Sequence, residues 1–339
     1  MHVMRGLVKK LLLVILSLTY MCLISNAQQR LKIDSVINAW YQRGQFNGAV
    51  LVVDEGREVY RKAIGYIDAS KQVPLDTRYR FHIGSIAKEF DAVGIMLLKE
   101  QGKLQLNDPL STFFPHLPNW AKRMTVKHLL QYSSGLPKVK YNTVHGDADN
   151  WKDLYALQQL KFDPGTSYEY NNNNTFLRRQ IIEKITGLSF KDFVEQKLLK
   201  PIGITDAIVD PTDQTPLVAK SFNDTFVQDK LLAPISGWTA LNLDDLFRWS
   251  EAINHFKIIT AVSTKELMLP FQENAQTGLG GGAMEQSKII RHVHDGSLLH
   301  YQALLYYDAT NERTLVLLNS RRHNNIYELA EAIDRILEH

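Results

Sequence analysis

The stretch Gly84-Ser85-Ile86-Ala87-Lys88 places two reactive side chains at the head of a predicted helix. Ser85 and Lys88 are three residues apart, so on a helix they share one face, one turn apart. A serine hydroxyl is a poor nucleophile until a base takes its proton, and a lysine can be that base only where burial or nearby cations lower its pKa. The same spacing also fits a structural alternative, in which Ser85 is a helix N-cap and Lys88 is a solvated charge. Other parts of the sequence are needed to choose between the two. The helix is predicted from a buried stripe and a terminal glycine: Ile86, Phe90, Val93, Leu97 and Gly102.

The first 27 residues predict an export signal. Positions 5–10 carry three basic residues, positions 11–24 are mostly apolar, and Ser25-Asn26-Ala27 offers small residues for cleavage. The apolar run is shorter than the roughly 20 residues of a membrane-spanning helix. We therefore expect an exported protein, periplasmic or secreted, with no stable membrane span after signal cleavage. An uncleaved anchor is the alternative.

Composition excludes several classes of function. Cys22 is the single cysteine, and cleavage after Ala27 would leave none, which excludes disulfides, thiol catalysis and cysteine-based metal sites. The three basic residues of the signal account for the formal charge of +3, because the chain has 39 Lys and Arg against 36 Asp and Glu. The mature chain therefore has no basic field that predicts binding to nucleic acid.

Strand patterns occur at both ends of the mature chain, and helical patterns lie between them. We expect one α+β domain over 28–339, with a sheet part at about 28–82 and 285–339 and a helical part at about 83–284. Ser85 would then lie at the junction, where clefts between subdomains place sites. The elements behind this prediction are a helix at 33–44, a hairpin at 48–53 and 59–66, helices at 177–187 and 190–199, strands from 289 and at 303–307 and 314–318, and a final helix from 326.

A second informative stretch is Tyr170-Asn171-Asn172, predicted to lie in a loop before a helix that includes Thr175. A tyrosine beside a cationic lysine can have its pKa lowered and serve as an acid or base. The Asn172 amide can hydrogen-bond both a lysine and a substrate. An ordinary polar loop over a packed aromatic ring is the alternative.

A third stretch, His292-Val293-His294-Asp295-Gly296, opens the late strand group. Two histidines at i and i+2 point to one face of a strand, which raises the hypothesis of a zinc hydrolase. Zinc needs further ligands, and no His-x-x-x-His or cysteine cluster supplies them. We therefore expect no metal.

Taken together, Ser85-x-x-Lys88, Tyr170-x-Asn172 and His294-x-Gly296 resemble the three motifs of penicillin-recognising serine enzymes. The chain is most similar to the beta-lactamase-related serine hydrolases, the group around class C beta-lactamases, D-alanyl-D-alanine carboxypeptidases and related esterases. Its flanks match as well, since 125–130 and 133–137 resemble the "HLL…TSGLP" segment of that family. The likeness runs through nearly the whole mature chain.

This resemblance implies a fold and a set of roles. The fold is an antiparallel sheet built from both termini and flanked by helices, with a mainly helical subdomain. Ser85 would attack a carbonyl to form an acyl-enzyme, while Lys88 and Tyr170 would shuttle protons. Asn172 would position the substrate and Lys88. His294 and Gly296 would line the wall of the site opposite the nucleophile. The backbone N–H groups of Ser85 and Ser297 would form the oxyanion hole. The family needs no cofactor and no metal.

Several positions depart from the family pattern. His294 stands where classical beta-lactamases have a lysine, so a fixed positive charge for a substrate carboxylate is missing. Trp238 and His300 replace small residues, and either bulky side chain narrows the pocket or only packs in a loop. Arg321 and Arg322 are candidates for the missing carboxylate partner, with surface arginines as the alternative.

The hypothesis that follows is an exported serine hydrolase that cleaves an amide or ester through an acyl-enzyme on Ser85. Its substrate would be a small molecule or peptide, and a cell-wall peptide or small ester is favoured over a beta-lactam because of His294. The alternative is a non-catalytic peptide or cell-wall binding protein on the same fold. Intact Ser85, Lys88, Tyr170 and Asn172 argue against that alternative.

Overall fold

The computed structural model describes residues 27–231, 233–322 and 325–338. Six antiparallel strands form the main sheet in the order β2-β1-β9-β8-β7-β6, and three short strands form a second sheet in the order β3-β5-β4. The strands are β1 (Gly48–Asp54), β2 (Arg57–Ile64), β3 (Phe81–His82), β4 (Ile208–Val209), β5 (Thr239–Leu241), β6 (Gly281–Glu285), β7 (Lys288–Leu298), β8 (Tyr301–Asp308) and β9 (Arg313–Asn319). Because β1 pairs directly with β9, the predicted sheet built from both termini is confirmed.

Helices cover both faces of the main sheet and form most of the segment between its two halves. They are α1 (27–42), α2 (Lys88–Glu100), α3 (Leu110–Phe113), α4 (Val126–Leu130), α5 (Asp147–Ala156), α6 (Asn172–Thr186), α7 (Phe190–Phe193), α8 (Leu243–Asn254), α9 (Ala261–Leu267) and α10 (Ile326–Leu337). Single 3-10 turns occur at Gly84–Ala87, Asn119–Lys122 and Lys200–Ile202, and α7 continues as a π-helical turn at Val194–Leu199. Within the described ranges, no helix is both long and apolar enough to cross a bilayer.

Alternation along the strands divides the core in two. On β1, Val50 and Val52 point to the side covered by α1 and α10, whereas Ala49 and Leu51 point to the side covered by α2 and α8. The second side forms the larger core and carries the helical subdomain. α2 is buried in this core almost throughout, which fixes the position of its first turn relative to the sheet.

The predicted hairpin, late strands and terminal helix are confirmed. Two details differ from the expectation. The segment at Ser85 starts as a 3-10 turn before α2 begins at Lys88, and Asn172 is the first residue of α6 rather than part of the loop before it. The predicted export signal and Cys22 lie outside the described residues, except for Ala27.

Candidate active site

Ser85 lies in the 3-10 turn that joins β3 to α2. The turn requires glycine at position 84, where φ is +54° and an added Cβ would lie 2.2 Å from the backbone nitrogen of Ser297. Gly296 faces the turn from β7, and a Cβ there would lie 1.9 Å from the carbonyl oxygen of Ile83 and 2.6 Å from the backbone nitrogen of Ser85. The two glycines therefore let β7 and the serine turn approach to backbone contact.

The Ser85 hydroxyl accepts two hydrogen bonds from charged or ionisable groups. The Lys88 ammonium donates to Oγ at 2.8 Å, and the Tyr170 hydroxyl donates to the same atom at 2.9 Å. Lys88 comes from α2, one turn after Ser85, whereas Tyr170 comes from the loop before α6. The structure thus brings together three side chains that the motifs predicted, two of them separated by 85 residues.

The lysine has the electrostatic environment that a base requires. The pKa of Lys88 is lowered from 10.5 to about 8, mainly by burial. The Arg179 and Arg178 guanidinium groups also lower it, whereas Tyr132 and Asp91 raise it. The expected lowering of the tyrosine pKa is wrong, because burial raises the pKa of Tyr170 well above its usual range. Tyr170 therefore remains a proton donor at neutral pH.

Asn172 occupies the first position of α6 and lines the same small pocket as Lys88. Its amide nitrogen donates to the Tyr141 hydroxyl, so the structure directs this donor to tyrosine rather than to the lysine that was expected. Its side-chain oxygen is buried with no hydrogen-bond partner among the described residues. An unpaired buried acceptor is a feature that a substrate N–H would satisfy.

The backbone N–H groups of Ser85 and Ser297 flank the contact between Gly84 and Gly296. Ser297 pairs with Gln302 on β8, which fixes the strand that carries its amide. Both amide nitrogens therefore lie close to this backbone contact. Their role toward a developing oxyanion stays a prediction.

His294 is buried behind the site rather than exposed along a wall. Its Nδ1 lies 2.7 Å from Glu89 Oε1, and Nε2 of His292 lies 3.0 Å from the same oxygen. The pleat of β7 explains this placement, because positions 292, 294 and 296 share the face that packs against α2. The expected wall position of His294 is therefore wrong, whereas Gly296 does face the serine turn.

Glu89 joins three elements at the back of the site. Its second carboxylate oxygen accepts a hydrogen bond of 2.6 Å from the Trp249 indole on α8. Burial alone would raise the pKa of Glu89, but the charges and hydrogen bonds of His292 and His294 outweigh burial and lower it far below its usual range. An ionised carboxylate only accepts hydrogen bonds, so both imidazoles donate to it. Glu89 was not predicted as part of the site.

The zinc hypothesis invoked His292 and His294, and both imidazoles face one carboxylate oxygen of Glu89. In the part of the chain that the structure describes, no group of three or more His, Cys, Asp or Glu side chains is arranged to hold a metal ion.

The side chains at the positions that depart from the family pattern lie in different surroundings. Trp238 lines the pocket at Lys88, and its ring centroid lies 5.4 Å from the lysine Nζ. His300 is a loop-packing residue, since its Nδ1 and its backbone N–H both contact the Asp229 carboxylate. Arg321 stacks on the Phe226 ring at 4.5 Å. That contact makes Arg321 a structural residue rather than a free partner for a substrate carboxylate.

A buried ion pair joins α2 and α6, the two helices that carry Lys88 and Asn172. Arg178 on α6 is fully buried and pairs with the equally buried Asp91 on α2, and its guanidinium also donates to the Leu129 carbonyl oxygen at 3.0 Å. The signal for this residue was present in the sequence, because Arg178 precedes Ile181 and Ile182 on an apolar stripe. Its partner, 87 residues away, was not predictable.

A model of the Beta-lactamase family matches residues 26–337. The chain belongs to the Beta-lactamase family. Penicillin-binding protein 4* of Bacillus subtilis (strain 168) is 28% identical over 335 residues, covering 88% of this chain and 73% of that relative. The expected α+β fold and the expected similarity to the beta-lactamase-related serine hydrolases are both confirmed.

Two solved structures show the same fold at low sequence identity. The D-amino acid amidase of Ochrobactrum anthropi SV3, complexed with L-phenylalanine amide, has a TM-score of 0.75 at 21% identity, with 92% of this chain and 98% of that chain covered. EstCE1, a hydrolase with promiscuous acyltransferase activity, has a TM-score of 0.75 at 17% identity, with 93% and 100% covered. At such identities the likeness shows the fold alone.

Proposed function

We propose that this protein is an exported serine hydrolase that cleaves an amide or ester through an acyl-enzyme on Ser85. The observation that carries the proposal is the pair of hydrogen bonds that Lys88 and Tyr170 donate to the Ser85 hydroxyl oxygen. A lysine with a pKa of about 8 is partly neutral near pH 7 and can accept the serine proton. Membership of a serine hydrolase family supports the same reaction class.

Acylation uses the two proton carriers in opposite roles. Neutral Lys88 accepts the Ser85 hydroxyl proton as Oγ bonds to the substrate carbonyl carbon. The bond from that carbon to the leaving nitrogen or oxygen then breaks, and Tyr170 gives its phenolic proton to the leaving atom. The proton held by Lys88 restores Tyr170, so the step ends with an acyl-enzyme and a neutral leaving group.

Deacylation reverses these roles with water as the nucleophile. The amine and phenol groups at Ser85 take a proton from water as its oxygen attacks the acyl carbon, and Ser85 Oγ leaves with a proton returned to it. The amides of Ser85 and Ser297 would stabilise the oxyanion in both steps, and one such donor is worth roughly 3 kcal/mol.

The substrate that we propose is a cell-wall peptide or a small ester rather than a beta-lactam. His294 donates to Glu89 and supplies no fixed cation in the cleft, and Arg321 is engaged elsewhere. Neither His294 nor Arg321 therefore provides a dedicated carboxylate partner for a beta-lactam. The named relative is a penicillin-binding protein, and the structural neighbours are an amidase and a hydrolase.

Intact mass spectrometry tests the nucleophile. The protein and its Ser85→Ala variant are incubated with a fluorophosphonate and with a penicillin. We expect an adduct on the wild-type protein that the variant does not form. A lasting penicillin adduct would indicate cell-wall peptides, and fluorophosphonate labelling alone would indicate an esterase-like pocket. No adduct with either probe would refute the proposal in favour of the binding protein.

Export has its own test. The full-length chain is expressed with a C-terminal tag, and the intact mass of the secreted or periplasmic product shows whether it starts at Gln28. A product that stays in the cytoplasm with its first 27 residues intact would contradict export without affecting the chemistry.

A further inference from the structure

The pocket beside the nucleophile is very small. Its free volume of about 10 Å³ is close to that of one water molecule. Three segments line it: the serine turn with Lys88, the first two turns of α6, and the segment before β5. The lining includes Lys88, Asn172, Arg179 and Trp238, and the pocket adjoins Ser85 through Lys88, whose Nζ lies 2.8 Å from Ser85 Oγ.

Trp238 lines both this pocket and a much larger cavity. The neighbouring cavity has a volume of about 650 Å³ and shares Ile235, Ser236 and Trp238 with the small pocket. The Trp238 ring lies over Lys88, with its centroid 5.4 Å from Nζ. A separation of one van der Waals layer leaves no room for a bulky group between the ring and the lysine.

The backbone at Trp238 is held in place from two sides. One Asp210 carboxylate oxygen accepts hydrogen bonds from the N–H groups of Gly237 and Trp238, at 2.6 and 3.0 Å. Asp147 accepts from both the N–H and the hydroxyl of Ser236. The indole nitrogen of Trp238 is buried without a hydrogen-bond partner in the described chain. The ring is therefore held by its backbone and by packing, and phenylalanine can replace it without losing a hydrogen bond.

The two sides of the nucleophile differ in their chemistry. Tyr170 is protonated and faces Ser85 Oγ, so the leaving atom that takes its proton has to lie on the tyrosine side. Ser85 and Tyr170 are both outside the lining of the small pocket, whereas Trp238 and Lys88, which donates to Ser85 Oγ at 2.8 Å, are part of it. The acyl group, which stays bonded to the carbonyl carbon, would then extend past Lys88 toward Trp238, whose ring centroid lies 5.4 Å from the lysine Nζ.

We propose that Trp238 is the specificity-determining residue of this site and that it restricts the substrate to short acyl groups. The inference rests on the proposed hydrolase function. Of the two substrate classes named above, it favours a small ester over a cell-wall peptide. Removal of the indole would join the small pocket to the 650 Å³ cavity and admit long acyl chains.

The test compares p-nitrophenyl acetate, butyrate and octanoate, with the leaving group held constant and the Ser85→Ala background subtracted. We expect wild-type kcat/KM to fall steeply with chain length. Trp238→Ala should raise the octanoate-to-acetate ratio of kcat/KM by at least about tenfold, the scale of a pocket that changes by more than a methylene. Trp238→Phe keeps one aromatic ring in place and should raise the ratio by less than Trp238→Ala does.

His300→Ala is the matched control, because His300 is the other bulky departure from the family pattern and contacts Asp229 outside the pocket. An equal change in the ratio for His300→Ala and Trp238→Ala would overturn the inference. So would a ratio that does not respond to Trp238→Ala. No Ser85-dependent hydrolysis of any ester by the wild type would instead refute the proposed function, and with it the inference.

Discussion

The protonation state of Lys88 should control the rate at which Ser85 is acylated. Only the neutral amine can accept the hydroxyl proton, and burial lowers the pKa of this lysine to about 8. An ordinary lysine at 10.5 would be neutral in about 0.03% of molecules at pH 7, whereas a pKa of 8 gives about 10%. The buried position thus supplies about 300-fold more of the active base at neutral pH.

The sign of the pH dependence follows directly. Because the ammonium form of Lys88 cannot accept a proton, the acylation rate should rise about tenfold with each unit of increasing pH up to about pH 8. Above that pH the rate should reach a plateau. At pH 6 the rate should be about 1% of the plateau. The measurement is the second-order rate of fluorophosphonate labelling from pH 5.5 to 9.5, since this probe has no group that ionises in that range.

Two variants assign the observed midpoint. Arg179→Met removes a buried cation that disfavours the ammonium form, so the midpoint should move to higher pH. Tyr170→Phe should slow labelling but leave the midpoint near 8, because Tyr170 stays protonated across the range. A rate that is flat between pH 6 and 8 would refute the role of Lys88 as the base, and so would a midpoint that Arg179→Met leaves unchanged.

Two further predictions concern the support of the site. Asp91→Ala should lower the free energy of unfolding by about 3–5 kcal/mol in urea denaturation, because Arg178 is left buried and unpaired. The double variant Asp91→Leu, Arg178→Leu should recover most of this loss, and a double variant as unstable as the single one would contradict the assignment. Gly296→Ala should abolish labelling of Ser85, because its Cβ would clash with backbone atoms of the serine turn. Gly146→Ala, with no heavy atom within 4 Å of the added Cβ, is the control and should label at the wild-type rate.

Local sequence patterns predicted most of the fold. The hairpin around Asp54–Arg57 and the strands β8 and β9 follow from alternating or continuous apolar runs separated by turn residues, which are short-range signals. The end of α6 follows from Gly187 in a left-handed conformation. That the first and last strands share a sheet was inferred from their order along the chain and from the family resemblance.

The site was predictable where chemistry depends on residue type and was not where it depends on orientation. The motifs identified Ser85, Lys88 and Tyr170, and the structure brings their reactive atoms within hydrogen-bonding distance. They misplaced His294, because a motif does not say which buried carboxylate its side chain meets. Glu89 and Asp91 on α2 were not predicted as buried, because their burial depends on partners contributed by β7, α6 and α8.

The sequence by itself determined the class of chemistry, because a serine, a lysine and a tyrosine in this order and spacing specify which groups can exchange protons. Only the tertiary structure decided the pKa of the base and the size of the pocket beside it. The pKa of Lys88 depends on burial by residues far away in the chain, and the size of the pocket depends on where Asp210 holds the backbone at Trp238. Both are properties of distance and dielectric environment, and these exist only once the chain has folded.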